Sequence, residues 1–277
     1  MTENLFGLPP FQMESSSEVL KTYFHPDGIL VVELNRPEVK NAFNGELIQE
    51  LITVLEETEQ RQDIKVLVLS GKGDAFCAGG DLNYMKSIGS NSFEENKEDA
   101  LQMAYLMQCL HEYPKLTIAR VHGAAFGGGV GLLCCCDMAF GSEKTQICLS
   151  EVRIGMIAAT IGPYVLKAIG PRNAHRYMLT AEVLKGEEAQ TAGFLSGVYA
   201  PEDLDEKILK LCLNHCKNAP NAVEISKALL QNVYNQPIEE GLIDYTAEVI
   251  ATARASEEGK EGLSSFLEKR KPQWGNK

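Results

Sequence analysis

Up to about residue 203, apolar residues come in short β-prone runs that alternate with polar turns and with stretches of helical spacing. The runs 19–24 and 29–34 flank His25-Pro26-Asp27-Gly28, which is turn chemistry between two strands. Asn44 stands where it can cap a helix over 45–59, with Leu47, Leu51 and Leu55 on one face. The run 65–69, KVLVL, predicts a buried strand that leads into the glycine-bearing segment 74–85, DAFCAGGDLNYM. A second helix is predicted over 94–112, ending before Pro114. The polar Gly89, Ser90, Asn91 and Ser92 ahead of it predict a mobile loop over 85–93. The run 116–121, LTIARV, predicts another strand, and the apolar residues 132–136 can start a helix.

Past Leu204 the pattern turns helical, over 205–217, 222–233, 245–254 and 262–270. The alternation predicts an α/β fold with a mostly parallel sheet over 18–203, followed by a helical region over 204–277. Residues 1–17 carry two acids and no base, which does not read as a signal or transit peptide, and a flexible tail is predicted there.

The chain is organised around the glycines. Gly123, Gly127, Gly128, Gly129 and Gly131 follow the strand at 116–121, and Gly79 and Gly80 follow the strand at 65–69. A strand, a glycine turn and a helix start leave several backbone N–H groups without intrahelical partners. With the positive end of the helix dipole, such donors suit an anion or a developing oxyanion. Neither cluster has the G-x-G-x-x-G or G-x-x-x-x-G-K-[ST] spacing of nucleotide sites, and no G-x-S-x-G elbow is present.

Composition narrows the partners. A formal net charge of −12 over 277 residues argues against a nucleic-acid binder, while leaving room for a locally positive pocket. No apolar run approaches the ~20 residues of a membrane span. The eight cysteines lack metal-like pairs, and Cys134, Cys135 and Cys136 are consecutive, so they read as reduced, buried thiols in a cytoplasmic protein. No cluster has ligand spacing for a metal.

The motifs FCAGGD at 76–81 and HGAAFGGGVGL at 122–132 resemble those of the crotonase (enoyl-CoA hydratase/isomerase) superfamily. LNRPEVKNAFN at 34–44 is similar to its N-terminal signature and EGLSSFLEKRKPQW at 261–274 to its C-terminal helix. Within it, LSEVRIG at 149–155 and the CCCDM after the glycines look most like bacterial methylglutaconyl-CoA hydratases of leucine breakdown. The resemblance implies a crotonase-type spiral of ββα turns with a C-terminal helical oligomerisation region, assembled as a homotrimer or dimer of trimers. It implies an acyl-CoA substrate, carried as its thioester, and no cofactor.

By position in the motifs, the resemblance implies that the N–H groups of Gly80 and Gly128 hold the thioester oxygen. It places Glu151 as the acid/base and puts Gly131 where the two-glutamate hydratases carry their other carboxylate. It implies CoA or substrate contacts at Val39, Asn41, Ala78, Asp81 and Gly131, with Phe266 and Lys269 reaching a neighbouring subunit's CoA. Burial of Glu151 against Ile154, Met156 and Ile157 is expected to raise its pKa, as acid/base work near neutral pH requires. With one carboxylate, either a hydratase aided by the substrate's own carboxylate or a Δ3,Δ2-enoyl-CoA isomerase fits, and an inert acyl-CoA-binding paralogue is a third reading. Arg153, Lys86, Arg172, Asn83 and Tyr84 are candidate partners for a substrate carboxylate. His122 reads as structural.

Overall fold

The computed structural model describes residues 11–274. Its main sheet begins with β1 (Gln12–Ser16), β2 (Leu20–His25) and β3 (Ile29–Leu34), which pair antiparallel in that order. Then β4 (Val66–Gly71), β5 (Leu116–Val121), β7 (Met138–Ser142) and β10 (Gly197–Tyr199) extend it, each parallel to its neighbour. A smaller sheet holds β6 (Ala124–Phe126), β8 (Gln146–Cys148) and β9 (Leu184–Lys185). Helix α1 (Gly45–Thr58) joins β3 to β4, and α2 (Leu82–Ile88) and α3 (Phe93–Glu112) join β4 to β5. After β5 comes β6 and then α4 (Gly128–Cys135); after β7 comes β8 and then α5 (Gly162–Thr180). Each such turn sends one strand to the large sheet and one to the small sheet before its helix, which is the expected ββα spiral.

Every residue of β3 and β4 is buried, because both faces of the sheet are covered. Side chains alternate across the sheet. Leu30, Val32, Leu34, Leu67 and Leu69 pack toward α1, α3 and α4, while Ile29, Val31, Val66 and Val68 pack toward Leu204, Ile208 and Cys212. Those last three lie on α7 (Leu204–His215), reached through α6 (Gly186–Ala192) and β10. The switch to helical pattern at Leu204 therefore marks a change of element, and α7 belongs to the core.

Helices α8 (Pro220–Val233), α9 (Glu240–Ala255) and α10 (Glu257–Leu267) complete the described chain. Lys227 Nζ fastens α8 to Asp137 at 2.8 Å and to Lys115 O at 3.1 Å, and Gln231 donates to His111 O at 2.8 Å. All eight cysteines are free thiols. Among the described residues no helix is long and apolar enough to cross a membrane.

Three expectations need correcting. Of the tail predicted over 1–17, residues 1–10 lie outside the described residues, but Gln12–Ser16 form an edge strand. Its five residues are exposed, and pairing with β2 and an ion pair from Glu14 to Arg61 at 2.9 Å hold it. The loop predicted over 85–93 begins as helix α2, because Asp81 caps Leu82–Ile88. Helix α4 starts at Gly128, within the glycine run. Helix α5 was not anticipated, since Gly170 and Pro171 interrupt its pattern; Gly170 has φ 72° and kinks it.

Candidate active site

The two glycine loops run side by side. Cys77 N–H donates to Ala124 O at 3.1 Å and accepts from Phe126 N–H at 2.9 Å through its carbonyl, while Gly127 N–H donates to Cys148 O at 2.9 Å. Packing is close enough to demand glycine: a Cβ on Gly129 would lie 2.4 Å from Cys77 O, and one on Gly79 3.0 Å from Phe126 O, at φ +93°. Phe43 pairs with the first loop. Its N–H donates to Gly79 O at 2.7 Å and its carbonyl accepts from Asp81 N–H at 2.9 Å. In such a parallel bridge the residue between the two partners turns its own N–H away. That residue is Gly80, and its exposed N–H has no acceptor among the described residues. Gly128 opens α4, so its N–H has no intrahelical partner either. The Phe43 ring packs on Gly128, 3.0 Å from where a Gly128 Cβ would stand.

Glu151 begins a 3-10 turn, Glu151–Ile154, closed by Gly155 in the left-handed region at φ 74°. A Cβ on Gly127 would lie 3.3 Å from Glu151 Oε1 and 3.7 Å from Gly79 Cα, so the carboxyl reaches the junction of the two loops. Its Oε2 is buried with no hydrogen-bond partner among the described residues. Burial pushes the carboxyl above the ordinary range, only partly opposed by a backbone hydrogen bond. The apolar residues expected to bury it do not: Ile154, Met156 and Ile157 are 63%, 52% and 75% exposed. Gly127, at the head of the second glycine loop, is the neighbour that stands against the Glu151 carboxyl.

Other predicted residues fare differently. Val39 and Ala78 are half-buried beside the first loop, where Ala78 N–H donates to Lys40 O at 3.0 Å. The Asn41 side chain is 0% exposed and fully used: it donates to Lys72 O and Ala75 O and accepts from Arg36 N–H. Any ligand contact there falls to its backbone. Asp81 is also buried, accepting from Asn83 N–H at 2.8 Å, Tyr84 N–H at 3.2 Å and the Arg36 guanidinium at 2.9 Å. Gly131 faces no ligand space. A Cβ on it would stand 2.2 Å from Ile161 Cγ2 and 3.1 Å from Met107 Sδ, so core side chains fill the room for a second carboxylate.

Phe266 and Lys269 are exposed at the end of α10, which packs on α8 and α9, and no bond joins them to the site within this chain. Of the candidate carboxylate partners, Arg153 donates to Ala181 O and Tyr84 to Asp99. Lys86, Arg172 and the Asn83 side chain have no partner among the described residues. His122 is structural in its contacts: its ring nitrogens meet Arg120 and Gly73 O, each at 2.8 Å, and burial lowers its pKa to about 4. No group of His, Cys, Asp and Glu among the described residues could hold a metal.

Sequence reading missed Phe43, Met85, Met103 and Ile161. Met85 Sδ would lie 3.1 Å from a Gly80 Cβ, and Met103 Cε 3.9 Å from a Gly128 Cβ. Nothing local marks such residues, since each reads as ordinary core.

The sequence matches the family described as enoyl-CoA hydratase/isomerase over residues 25–277. It is similar to the 2,3-dehydroadipyl-CoA hydratase of Escherichia coli, 30% identical over 248 residues that cover 88% of this chain and 94% of that protein. It is also similar to the peroxisomal Delta(3,5)-Delta(2,4)-dienoyl-CoA isomerase of Arabidopsis thaliana, 31% identical over 252 residues, 87% of this chain and 90% of that one. The crystal structure of an enoyl-CoA hydratase from Shewanella pealeana has a TM-score of 0.89 at 40% identity, over 92% of this chain and 96% of that one.

Proposed function

The chain belongs to the enoyl-CoA hydratase/isomerase family, and from that premise we propose that it hydrates a carboxylate-bearing 2-enoyl-CoA, 3-methylglutaconyl-CoA, to 3-hydroxy-3-methylglutaryl-CoA. The observation that carries the reading is the buried Oε2 of Glu151, without a hydrogen-bond partner among the described residues, at the loop that leads into Gly128. The N–H groups of Gly80 and Gly128 take the thioester oxygen and stabilise the charge that forms on it when water attacks C3; one such donor is worth roughly 3 kcal/mol in the transition state. Glu151, ionised, accepts the proton of the attacking water and returns it to C2 as the enolate collapses. The hydroxyl ends on C3 and the proton on C2, so a single carboxyl completes the cycle.

With Gly131 closed off by Ile161, the substrate's own carboxylate helps to orient the water. Lys86 on α2, without an ion-pair partner among the described residues, is the cation proposed to hold that carboxylate. Val39 and Ala78 border the CoA, and Phe266 and Lys269 reach it from a neighbouring subunit of a trimer or dimer of trimers.

The closed position at Gly131 favours one alternative, proton transfer between C2 and C4 by the same Glu151, which makes the enzyme a Δ3,Δ2-enoyl-CoA isomerase. Turnover of 3-methylglutaconyl-CoA and of a 3-enoyl-CoA in oxygen-18-labelled water separates the two. The hydratase reading expects label in the product from 3-methylglutaconyl-CoA, with crotonyl-CoA much slower. Lys86→Met should narrow that preference by about 10-fold. Fast, label-free turnover of the 3-enoyl-CoA with inert 3-methylglutaconyl-CoA overturns it.

A further inference from the structure

Helix α2 carries Met85, whose sulfur packs against Gly80. Seven residues are too few for α2 to persist unaided. Asp81 fixes its start through the cap and the ion pair with Arg36. Among the described residues, one side-chain bond ties its middle to another element, from the Tyr84 hydroxyl to Asp99 Oδ1 on α3. The Tyr84 ring lies flush against the start of α1, with its hydroxyl 3.9 Å from where a Gly45 Cβ would stand. Burial, and then the neighbouring Asp99, raise the phenol to about 12, so it stays a donor at neutral pH. One helical turn beyond Asp99 on the same face, Met103 reaches Gly128.

We infer that Tyr84 and Asp99 are positioning residues, a latch between α2 and α3 that holds Met85 against Gly80 and Met103 against Gly128. The inference rests on the reading of those two N–H groups as the holders of the thioester oxygen. Neither latch residue touches the reacting atoms. With the latch broken, Met85 leaves Gly80, the loop that carries its N–H loses that packing, and the donor is held less firmly in line with the thioester oxygen.

The test pairs kinetics on a 2-enoyl-CoA with carbon-13 NMR of the thioester carbonyl of a bound saturated acyl-CoA, whose signal moves as its oxygen is polarised. Tyr84→Phe and Asp99→Ala should lower kcat about 10-fold or more, with KM within about threefold, and return the carbonyl signal toward its free position. Asp99→Asn keeps an acceptor oxygen and should stay within about threefold of the parent in kcat. Thermal unfolding confirms that the variants are folded. Tyr84→Phe with parental kcat and carbonyl position overturns the latch, as does Asp99→Asn no better than Asp99→Ala. An unmodified enzyme whose bound carbonyl does not move refutes the underlying reading, and that result is read before any variant is made.

Discussion

Glu151 is where residue chemistry matters most. Its Oε2 is buried without a partner among the described residues, and burial outweighs one backbone hydrogen bond, an arrangement that disfavours the charged form and suits a group that takes and gives a proton. Glu151→Gln keeps the shape and removes proton transfer, so turnover should fall about 10²- to 10⁴-fold with the fold intact. More than about a tenth of the activity remaining would remove Glu151 from the acid/base role. A second consequence concerns pH. A carboxyl whose folded pKa is raised contributes stability that is full below the ordinary Glu range and is lost as pH climbs through the raised value. Melting temperature measured from pH 5 to 8 should therefore rise for Glu151→Gln relative to the parent as pH increases. A constant difference across that window would mean that the carboxyl is not perturbed. Activity should rise with pH over the same interval, since the proposed hydration needs Glu151 ionised to accept the proton from water.

Gly131 illustrates the opposite kind of residue, fixed by packing. A single methyl at this position meets Ile161 Cγ2 at 2.2 Å and Ile161 Cβ at 2.9 Å. Gly131→Ala should cost about 1–3 kcal/mol in denaturant unfolding, although alanine is the better helix former. Ile161→Ala in the same chain should recover part of the loss. A Gly131→Ala protein as stable as the parent would show that α4 and α5 have slack here.

Among the elements, α2 depends most on its neighbours. Burial of Asp81 works to raise its carboxyl, but the Tyr84 N–H, the Arg36 guanidinium and the Asn83 N–H outweigh that and leave it lowered. The Arg36–Asp81 pair is well shielded, with the side chains 14% and 6% exposed. Asp81→Ala, which strands Arg36 and uncaps α2, should cost about 3 kcal/mol at neutral pH. A group with a lowered folded pKa contributes stability above the ordinary Asp range and loses it as pH falls through the lowered value. The deficit of Asp81→Asn should therefore shrink in acid. Hydrogen exchange along α2 is the direct measurement, and unchanged protection in Asp81→Ala would refute the dependence. Helix α1 needs less help: Asn44 caps it by accepting from Leu47 N–H at 2.9 Å, and Leu47, Leu51 and Leu55 face the core as their spacing predicts.

At the scale of the whole molecule, the C-terminal helices stand out. Helices α8 and α9 bury no residue in the single chain, and Ile238, Leu263, Phe266 and Leu267 are 85%, 61%, 79% and 69% exposed. Such a surface fits the proposed assembly, in which Lys269 serves a neighbour's CoA. Lys269→Ala should raise KM for acyl-CoA with little change in kcat, because a phosphate contact binds ground and transition states alike. Mixing Lys269→Ala with Glu151→Gln subunits should regenerate sites that carry both residues. Mixtures no more active than the separate variants would place Lys269 in its own subunit's site or in none.

The sequence by itself determined what short-range chemistry decides. His25-Pro26-Asp27-Gly28 turns β2 into β3, Asn44 starts α1, α3 stops before Pro114, and the glycines leave N–H groups free at two loops. These outcomes depend on residues close in the chain, so their patterns can be read directly. Tertiary structure decided what depends on residues far apart. Asn41 and Asp81 lie in the motifs that mark the site, yet the fold uses their side chains to hold loops, because Lys72, Ala75 and Arg36 arrive with unpaired groups. The Glu151 carboxyl comes to lie against Gly127, far away in the chain, while its apolar sequence neighbours Ile154, Met156 and Ile157 stay exposed. Ile161 closes the room beside Gly131 because α5 crosses α4 there, a contact that no local pattern encodes.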